Sequence, residues 1–275
     1  MDLRESVIFV TGASSGIGNA CATFLAKKGA KVYGTCRNPS AYSRKADEFF
    51  ELLPLDLSDS GSIAQSAEAA LGAEGRLDAL ICCAGSGLMG AIEDIDLSEA
   101  QRLMDVNFFG TLRTIKAFLP RMREAGKGRI VLVGAIEGLV ASPFQGIYSA
   151  AEFALEGMAQ ALRIEVARFG VEVGIVELAS FRTGFGQGRR IAMAASENSP
   201  YRSGLESALG VIERDEAEAF DPLTVARVVA AMLSARHMPV RRTAGRLSRR
   251  VLAGARRVLA PRALDRRLRR YYRID

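Results

Sequence analysis

The run Thr11-Gly12-Ala13-Ser14-Ser15-Gly16-Ile17-Gly18 follows directly on four apolar residues, Val7-Ile8-Phe9-Val10. This junction constrains the fold more than any other feature of the chain. A short buried strand that ends in a glycine turn and opens a helix is the corner on which nucleotide folds hold phosphates. Gly12 permits the tight turn, Gly16 lets backbone approach a pyrophosphate, and Gly18 lets helix and strand pack closely. The helix start around Ser14, Ser15 and Ile17 then offers unpaired N–H groups and a partial positive charge. A turn of purely structural purpose is the alternative, and the strand–turn–helix setting argues against it.

The rest of the chain repeats that rhythm. Short β-branched or apolar runs at 7–10, 31–35, 52–55, 79–83, 129–133 and 171–178 alternate with amphipathic stretches near 17–28, 59–73, 98–125 and 148–168. This alternation predicts an α/β Rossmann fold, a doubly wound parallel sheet covered by helices on both faces. Pro120 is expected to interrupt or kink the end of the third long helix. A last short strand and helix are expected at 222–236. The segment 180–215, rich in Gly, Ser and Arg, breaks the pattern and reads as a mobile excursion that forms a substrate lid, with Phe181, Phe185, Met193 and Tyr201 as an apolar lining.

At 275 residues the chain is long enough for one large core, so residues 1–240 are read as a single domain. No signal peptide or membrane span is evident. Cys21, Cys36, Cys82 and Cys83 have no metal-ligand spacing; free thiols in a reducing cytoplasm are expected, and no metal site. The net charge of +6 hides an asymmetry. From residue 241 onward 13 arginines face two aspartates, so the body is mildly acidic and the tail, 241–275, strongly basic. Leu247, Val251, Leu252, Ala255, Val258 and Leu259 recur at helical spacing, with Arg249, Arg250, Arg256 and Arg257 on another face. Pro261 breaks this helix, and Leu264, Leu268 and Tyr271 begin a second. Such helices suit an anionic membrane surface, an acidic partner, or a solvated face at a subunit interface; no nucleic-acid motif accompanies them.

The second strand ends in Thr35-Cys36-Arg37-Asn38. NAD sites place an acid there for the ribose 2′-hydroxyl, whereas a base there accommodates the 2′-phosphate of NADP. Arg37 is suited to a phosphate, so NADP(H) is the expected cofactor; a solvated surface arginine is the alternative.

With these residues in hand the chain resembles the short-chain dehydrogenase/reductase family, in particular its 17β-hydroxysteroid dehydrogenase-like and retinol dehydrogenase-like branch. The likeness runs from about residue 5 to the C-terminus. It includes the glycine run, Leu55-Asp56-Leu57, Asn107-Phe108-Phe109-Gly110, Tyr148-Ser149-Ala150 and Phe153-Ala154-Leu155-Glu156-Gly157. The resemblance implies oxidoreductase activity, homo-oligomers and lipophilic substrates. It also implies cofactor contacts at Gly12, Ser14, Ser15, Gly16, Ile17, Gly18, Arg37, Asp56, Leu57, Ala84, Gly85, Tyr148 and Thr183. The family's chemistry uses Asn, Ser, Tyr and Lys. Asn107 and Tyr148 are present, but the serine position is Ala135 and the lysine position, four residues after the tyrosine, is Glu152. Ser142 and Ser149 are the nearest hydroxyls, and neither falls at the serine position. Two smaller departures are Cys82-Cys83 before Ala84-Gly85, and Ala179-Ser180 after the sixth strand.

A unit charge about 5 Å from the phenol, at an effective dielectric of about 20, is worth roughly 3 kcal/mol, so an ammonium there would pull the titration of Tyr148 down and a carboxylate pushes it up by a similar amount. Tyrosinate becomes scarce, and alcohol oxidation by the usual route is disfavoured. Without a serine donor on the developing alkoxide, reduction should also lose on the order of 100- to 1000-fold. Glu152 can instead accept hydrogen bonds from a ribose or move protons, with Glu137 as a third group, or it can be a solvated helix charge. Three functions stay open. One is an NADP(H)-dependent reductase of a lipophilic ketone or aldehyde; another is a non-redox isomerase, dehydratase or cyclase using Tyr148 and Glu152. The third is a catalytically silent binding protein. The expected location is cytoplasmic or peripheral to a membrane.

Overall fold

The computed structural model describes residues 1–195, 197–245 and 259–274. Its first strand, β1 (Val7–Val10), is buried along its whole length, as befits a strand covered on both faces. It lies between β2 (Lys31–Cys36) and β4 (Ala79–Cys82), parallel to both. β3 (Glu51–Pro54) extends the sheet on one side, and β6 (Gly128–Ala135), β7 (Val171–Leu178) and β9 (Arg241–Ala244) extend it on the other. The order among the described residues is β3-β2-β1-β4-β6-β7-β9, with every pairing parallel. The chain winds outward from β1 to β3, then returns to β4 and winds the other way. The crevice between β1 and β4 is therefore the switch point at which such sheets bind ligands.

Alternating side chains feed two cores. Val7 and Phe9 point to the face covered by α2 (Ser60–Glu74), α4 (Gly110–Glu124) and α5 (Gly146–Val166), where they join Ile63, Ile115, Phe118 and Leu162. Ile8 and Val10 point to the opposite face, where α1 (Gly16–Lys27) and α8 (Leu223–Ser234) bring Leu25, Val225 and Val229. This two-residue alternation is the expected pleat of a strand.

The six expected strands form, but the expected third long helix divides. α3 (Leu97–Met104), opened by a capping box of Asp96 and Glu99, passes into one widened turn at Asp105–Phe109 before α4 begins. Such a turn shifts the side chains that follow it, and here it buries Asn107. Pro120, by contrast, does not end the helix: α4 continues to Glu124, with Phe118 and Met122 buried on either side of the proline. The expected order at 222–236 is also corrected. Helix α8 comes first and the strand is β9, an Arg-Arg-Thr-Ala edge segment that lies past residue 240. It has no apolar pattern; its place comes from pairing with β7 and an ion pair between Arg241 and Glu156.

The segment 180–215 carries defined structure. It forms α6 (Phe185–Gly188), then β8 (Arg190–Ile191) paired to β5 (Leu88–Met89), then α7 (Arg202–Ala217). The expected helix over 246–260 lies, for residues 246–258, outside the described residues. The expected second helix is α9 (Pro261–Tyr272), with Pro261 in its opening turn, where proline fits well. Leu264 and Leu268 pack against Ile136, Val140 and Ala179, and Tyr272 packs against Leu205 and Val211 of α7. Arg262, Arg266, Arg267, Arg269 and Arg270 are exposed. No helix among the described residues is long and apolar enough to cross a membrane.

Candidate active site

The switch-point crevice opens into a cleft of about 670 Å³ running from the glycine turn to Tyr148. At one end Gly12 and Gly16 have positive φ, 71° and 55°. A Cβ on Gly18 would stand 2.3 Å from the carbonyl oxygen of Gly12, so only glycine lets α1 meet the turn this closely. Ser15 precedes α1 without capping it through its side chain, which leaves the first N–H groups of the helix for a ligand. Thr11 Oγ1 accepts from Cys83 N–H (2.9 Å) and Ala84 N–H (3.1 Å), tying the turn to the end of β4. Thr183 closes the other side, packed on Gly16. The buried hydroxyl of Thr35, at the end of β2, finds no protein partner among the described residues. Turn, free N–H groups and an unmatched hydroxyl together make a cradle that fits a dinucleotide phosphate.

Arg37, Asp56, Leu57, Ala84 and Gly85 line the same cleft. Arg37 is exposed at the rim. Asp56 accepts from Ser58 N–H (2.9 Å) and Ser58 Oγ (2.7 Å); these bonds, aided by Arg37, hold its carboxyl below the usual range. Asn107 uses its whole amide on Ser86: Oδ1 accepts from Ser86 N–H (2.9 Å) and Nδ2 donates to Ser86 O (2.9 Å). It braces the loop that follows β4.

At the far end stands Tyr148, 8% exposed, with its ring 5.9 Å from that of Phe185. Burial raises its phenol well above the ordinary value of 10.0, and Glu152, Glu137 and Glu177 add to this against the opposing charge of Arg189. Arg189 is itself paired with Glu216. Glu152 is not a solvated helix charge: it is 6% exposed, on the buried face of α5 that also carries Tyr148, Ala151 and Leu155. Its Oε2 accepts from the Ala135 N–H at 2.8 Å, which joins the two departures noted in the sequence. Burial outweighs that hydrogen bond, and with Glu137 nearby the carboxyl is pushed up to about 8.

Two further features were not foreseen. Glu177 of β7 is 0% exposed, and a side chain at Gly134 would meet both its Oε2 (3.5 Å) and that of Glu152 (3.2 Å). Glu177 lies beside Glu156, which Arg241 holds ionised, and burial pushes Glu177 up to about 11, so it keeps the proton the two would share. A glutamate inside the run Val-Glu-Val-Gly-Ile-Val-Glu-Leu was the available signal. Secondly, Ser142 Oγ donates to Glu137 Oε1 (3.1 Å) and lies 2.8 Å from the Tyr272 hydroxyl, so α9 reaches the wall of the cleft. Ser149 Oγ accepts from Ser142 N–H. Neither serine lines the cleft. Of the expected apolar lining, Phe181 and Phe185 are in place. Met193 is 79% exposed and Tyr201 hydrogen-bonds Glu93, so neither lines it, because β8 turns that segment outward. No group of side chains suited to a metal ion occurs among the described residues.

The family model described as short chain dehydrogenase matches residues 6–193. The chain belongs to that family. A 3-ketodihydrosphingosine reductase of Bacteroides thetaiotaomicron is 34% identical to this short chain dehydrogenase over 272 residues, covering 99% of the chain and 100% of the relative. The 17-beta-hydroxysteroid dehydrogenase type 1 of Homo sapiens is 36% identical over 195 residues, covering 66% of this chain and 59% of that one. Among solved structures, a short-chain dehydrogenase from Streptomyces avermitilis superposes with a TM-score of 0.83 at 29% identity, covering 98% of both chains.

Proposed function

We propose that this short chain dehydrogenase is an NADP(H)-dependent reductase of a lipophilic ketone or aldehyde, with Tyr148 acting as a neutral acid. The observation that carries this reading is a phenol, not a phenolate, at the end of a nucleotide cleft, kept neutral first by burial, with Glu152, Glu137 and Glu177 opposing its ionisation further wherever they are charged. A neutral phenol can donate a proton to a substrate oxygen but cannot remove one, so the site favours reduction over alcohol oxidation. The cradle at Gly12, Gly16 and the start of α1 would hold the cofactor phosphates, and Arg37 suits a 2′-phosphate. Bound NADPH would supply the hydride.

The protein's own part is proton handling. The Tyr148 hydroxyl donates to the carbonyl oxygen and releases its proton as negative charge gathers there. Glu152, one helical turn away and protonated at neutral pH, returns a proton to Tyr148 and is itself recharged from solvent through the cleft. Ala135 contributes only its amide, spent on Glu152, so the rate should fall on the order of 100- to 1000-fold below that of a site with a second donor. The similarity to a ketodihydrosphingosine reductase and a hydroxysteroid dehydrogenase supports a lipophilic carbonyl substrate.

The test begins with calorimetric titration of NADPH; no binding would remove the reading. Long-chain ketones should then be reduced with NADPH, while the matching alcohols should not be oxidised with NADP at neutral pH. Ala135→Ser combined with Glu152→Lys should raise the reductase rate. A second reading is favoured by a buried carboxyl that titrates near about 8 beside a phenol: Tyr148 and Glu152 transfer protons in a non-redox isomerisation or dehydration. Loss of such a conversion in the same double variant, with no gain in reduction, would select it.

A further inference from the structure

Behind the cleft wall lies a carboxyl that proton donation at Tyr148 leaves unused. Glu177 stands beside Gly134 in the register of β6 and β7, on the face that α5 covers. Position 134 has no side chain, and the two carboxyls meet over it. A Cβ there would lie 3.5 Å from Glu177 Oε2 and 3.2 Å from Glu152 Oε2. Neither Glu177 oxygen meets an N–H or O–H donor among the described residues. Its neighbour is the Glu156 carboxyl, and two carboxyls bond only through a shared proton. Glu156 sits one turn beyond Glu152 on α5, where Arg241 of β9 donates to it from Nε at 2.8 Å and again from Nη2. The Arg241 side chain is 35% exposed, so this end of the row reaches solvent. Neither Glu177 nor Glu156 lines the cleft. A buried carboxyl without a donor is costly, and an apolar residue would serve the packing of the strand better.

We propose that Glu177 and Glu156 form a proton path that joins Glu152 to solvent at the β9 edge, so that the site is recharged from behind while the cleft is full. Recharging through the cleft serves the open site; in turnover, cofactor and substrate take up that space. When Glu152 gives its proton to Tyr148, the Glu177 O–H bond breaks and its proton passes to Glu152, directly or across one water. Glu156, at the solvent end, takes a proton from water and hands it to Glu177 through the hydrogen bond they share. One solvent proton enters for each one delivered to the substrate oxygen, and every carboxyl ends the cycle as it began. Glu177 holds its proton roughly 1000-fold more firmly than Glu152. Against an attempt rate of about 6 × 10¹² s⁻¹, that penalty leaves the hop far ahead of a turnover of about 10³ s⁻¹ or less. The charged groups bordering the path are Glu137 at the Glu152 end, and Arg241 and Arg163 at the Glu156 end. The two arginines keep Glu156 ionised between deliveries and ready to accept. Delivery to Tyr148 rests on the reductase reading; the path from Glu156 to Glu152 does not.

The experiment uses the full chain with NADPH bound and follows its protonated carboxyl bands by infrared spectroscopy after rapid transfer into deuterated water. The Glu152 band is identified by its loss in Glu152→Gln. Glu177→Gln keeps the size, neutrality and donor to Glu156 of the protonated carboxyl but has no proton to pass on. In this variant exchange at Glu152 should be roughly 10- to 100-fold slower than in the parent with NADPH bound, and as fast as in the parent without NADPH. Glu156→Gln, altered at the solvent end, should slow it likewise. Turnover of a long-chain methyl ketone is read by NADPH absorbance. In Glu177→Gln it should fall through kcat, with KM and NADPH affinity unchanged and a larger solvent isotope effect, a combination that a packing defect does not give. Slowed exchange in both variants of a chain that reduces no ketone would support the path and sink the reductase reading. Exchange as fast as the parent's in either variant with NADPH bound would overturn the proposal, whatever the turnover. So would an unchanged kcat in Glu177→Gln of a chain that does reduce ketones, because the path would then carry nothing that turnover needs.

Discussion

Replacing Glu152 by glutamine should remove a large part of the pH dependence of folding. In the folded chain this carboxyl titrates at about 8 against a usual value of 4.5, because burial opposes its charge more than the Ala135 amide favours it. Between those values the native state holds a proton that the unfolded chain has released. Stability falls with rising pH wherever the native state binds more protons, so the cost is absent below the unfolded value, grows through the window and levels off above the folded one. At its full extent, a shift from 4.5 to about 8 corresponds to roughly 5 kcal/mol. Between about pH 5.5 and about pH 8 the group should cost roughly 3 kcal/mol. Glu177, also raised by burial, acts in the same sense in both proteins and largely cancels in their comparison. Urea unfolding followed by circular dichroism, for the parent and Glu152→Gln at both pH values, reads the difference directly. The parent should lose roughly 3 kcal/mol more than the variant. Parallel losses would refute the reasoning, since the carboxyl would then be hydrated or paired, and the argument for a neutral Tyr148 would weaken with it.

Other outcomes follow from the same geometry. Arg37→Ala should weaken NADPH roughly 10- to 100-fold and leave NADH unchanged, because only the former carries a 2′-phosphate; equal losses in calorimetry would deny Arg37 that contact. Gly18→Ala places a methyl 2.3 Å from the Gly12 carbonyl oxygen, and should destabilise the fold by roughly 1–3 kcal/mol while loosening the phosphate corner. A variant that melts and binds NADPH like the parent would contradict this. Tyr272→Phe removes the hydroxyl beside Ser142 and should cost about 1 kcal/mol or more in urea unfolding, whereas an unchanged midpoint would mean that α9 is not anchored at the cleft wall. Reductase activity should decline above about pH 8 as Glu152 ionises and ceases to be a proton source, and a flat profile to pH 10 would exclude Glu152 from the proton path.

The phosphate corner is a local structure, and local chemistry determined it. Strand, turn and helix occupy consecutive residues, and Gly12, Gly16 and Gly18 act through backbone conformation and close approach within that stretch. The order of apolar runs and amphipathic helices was legible for the same reason: burying one face of each element admits few arrangements. The sequence also singled out Ala135 and Glu152 as departures from the pattern it resembles, on either side of a tyrosine, Tyr148, that it keeps. Their physical states came only with tertiary structure. Glu152 is buried rather than solvated because α5 turns it onto the end of β6, where the Ala135 amide 17 residues earlier in the chain receives it. β9 is a strand because β7 offers it an open edge and Glu156 a counter-charge, not because Arg-Arg-Thr-Ala favours a strand. Tyr272 meets Ser142 across 130 residues, and Glu177 meets Glu152 across the single glycine at 134. The titration of a carboxyl depends on its solvent and its neighbours in space, and no spacing along the chain records either.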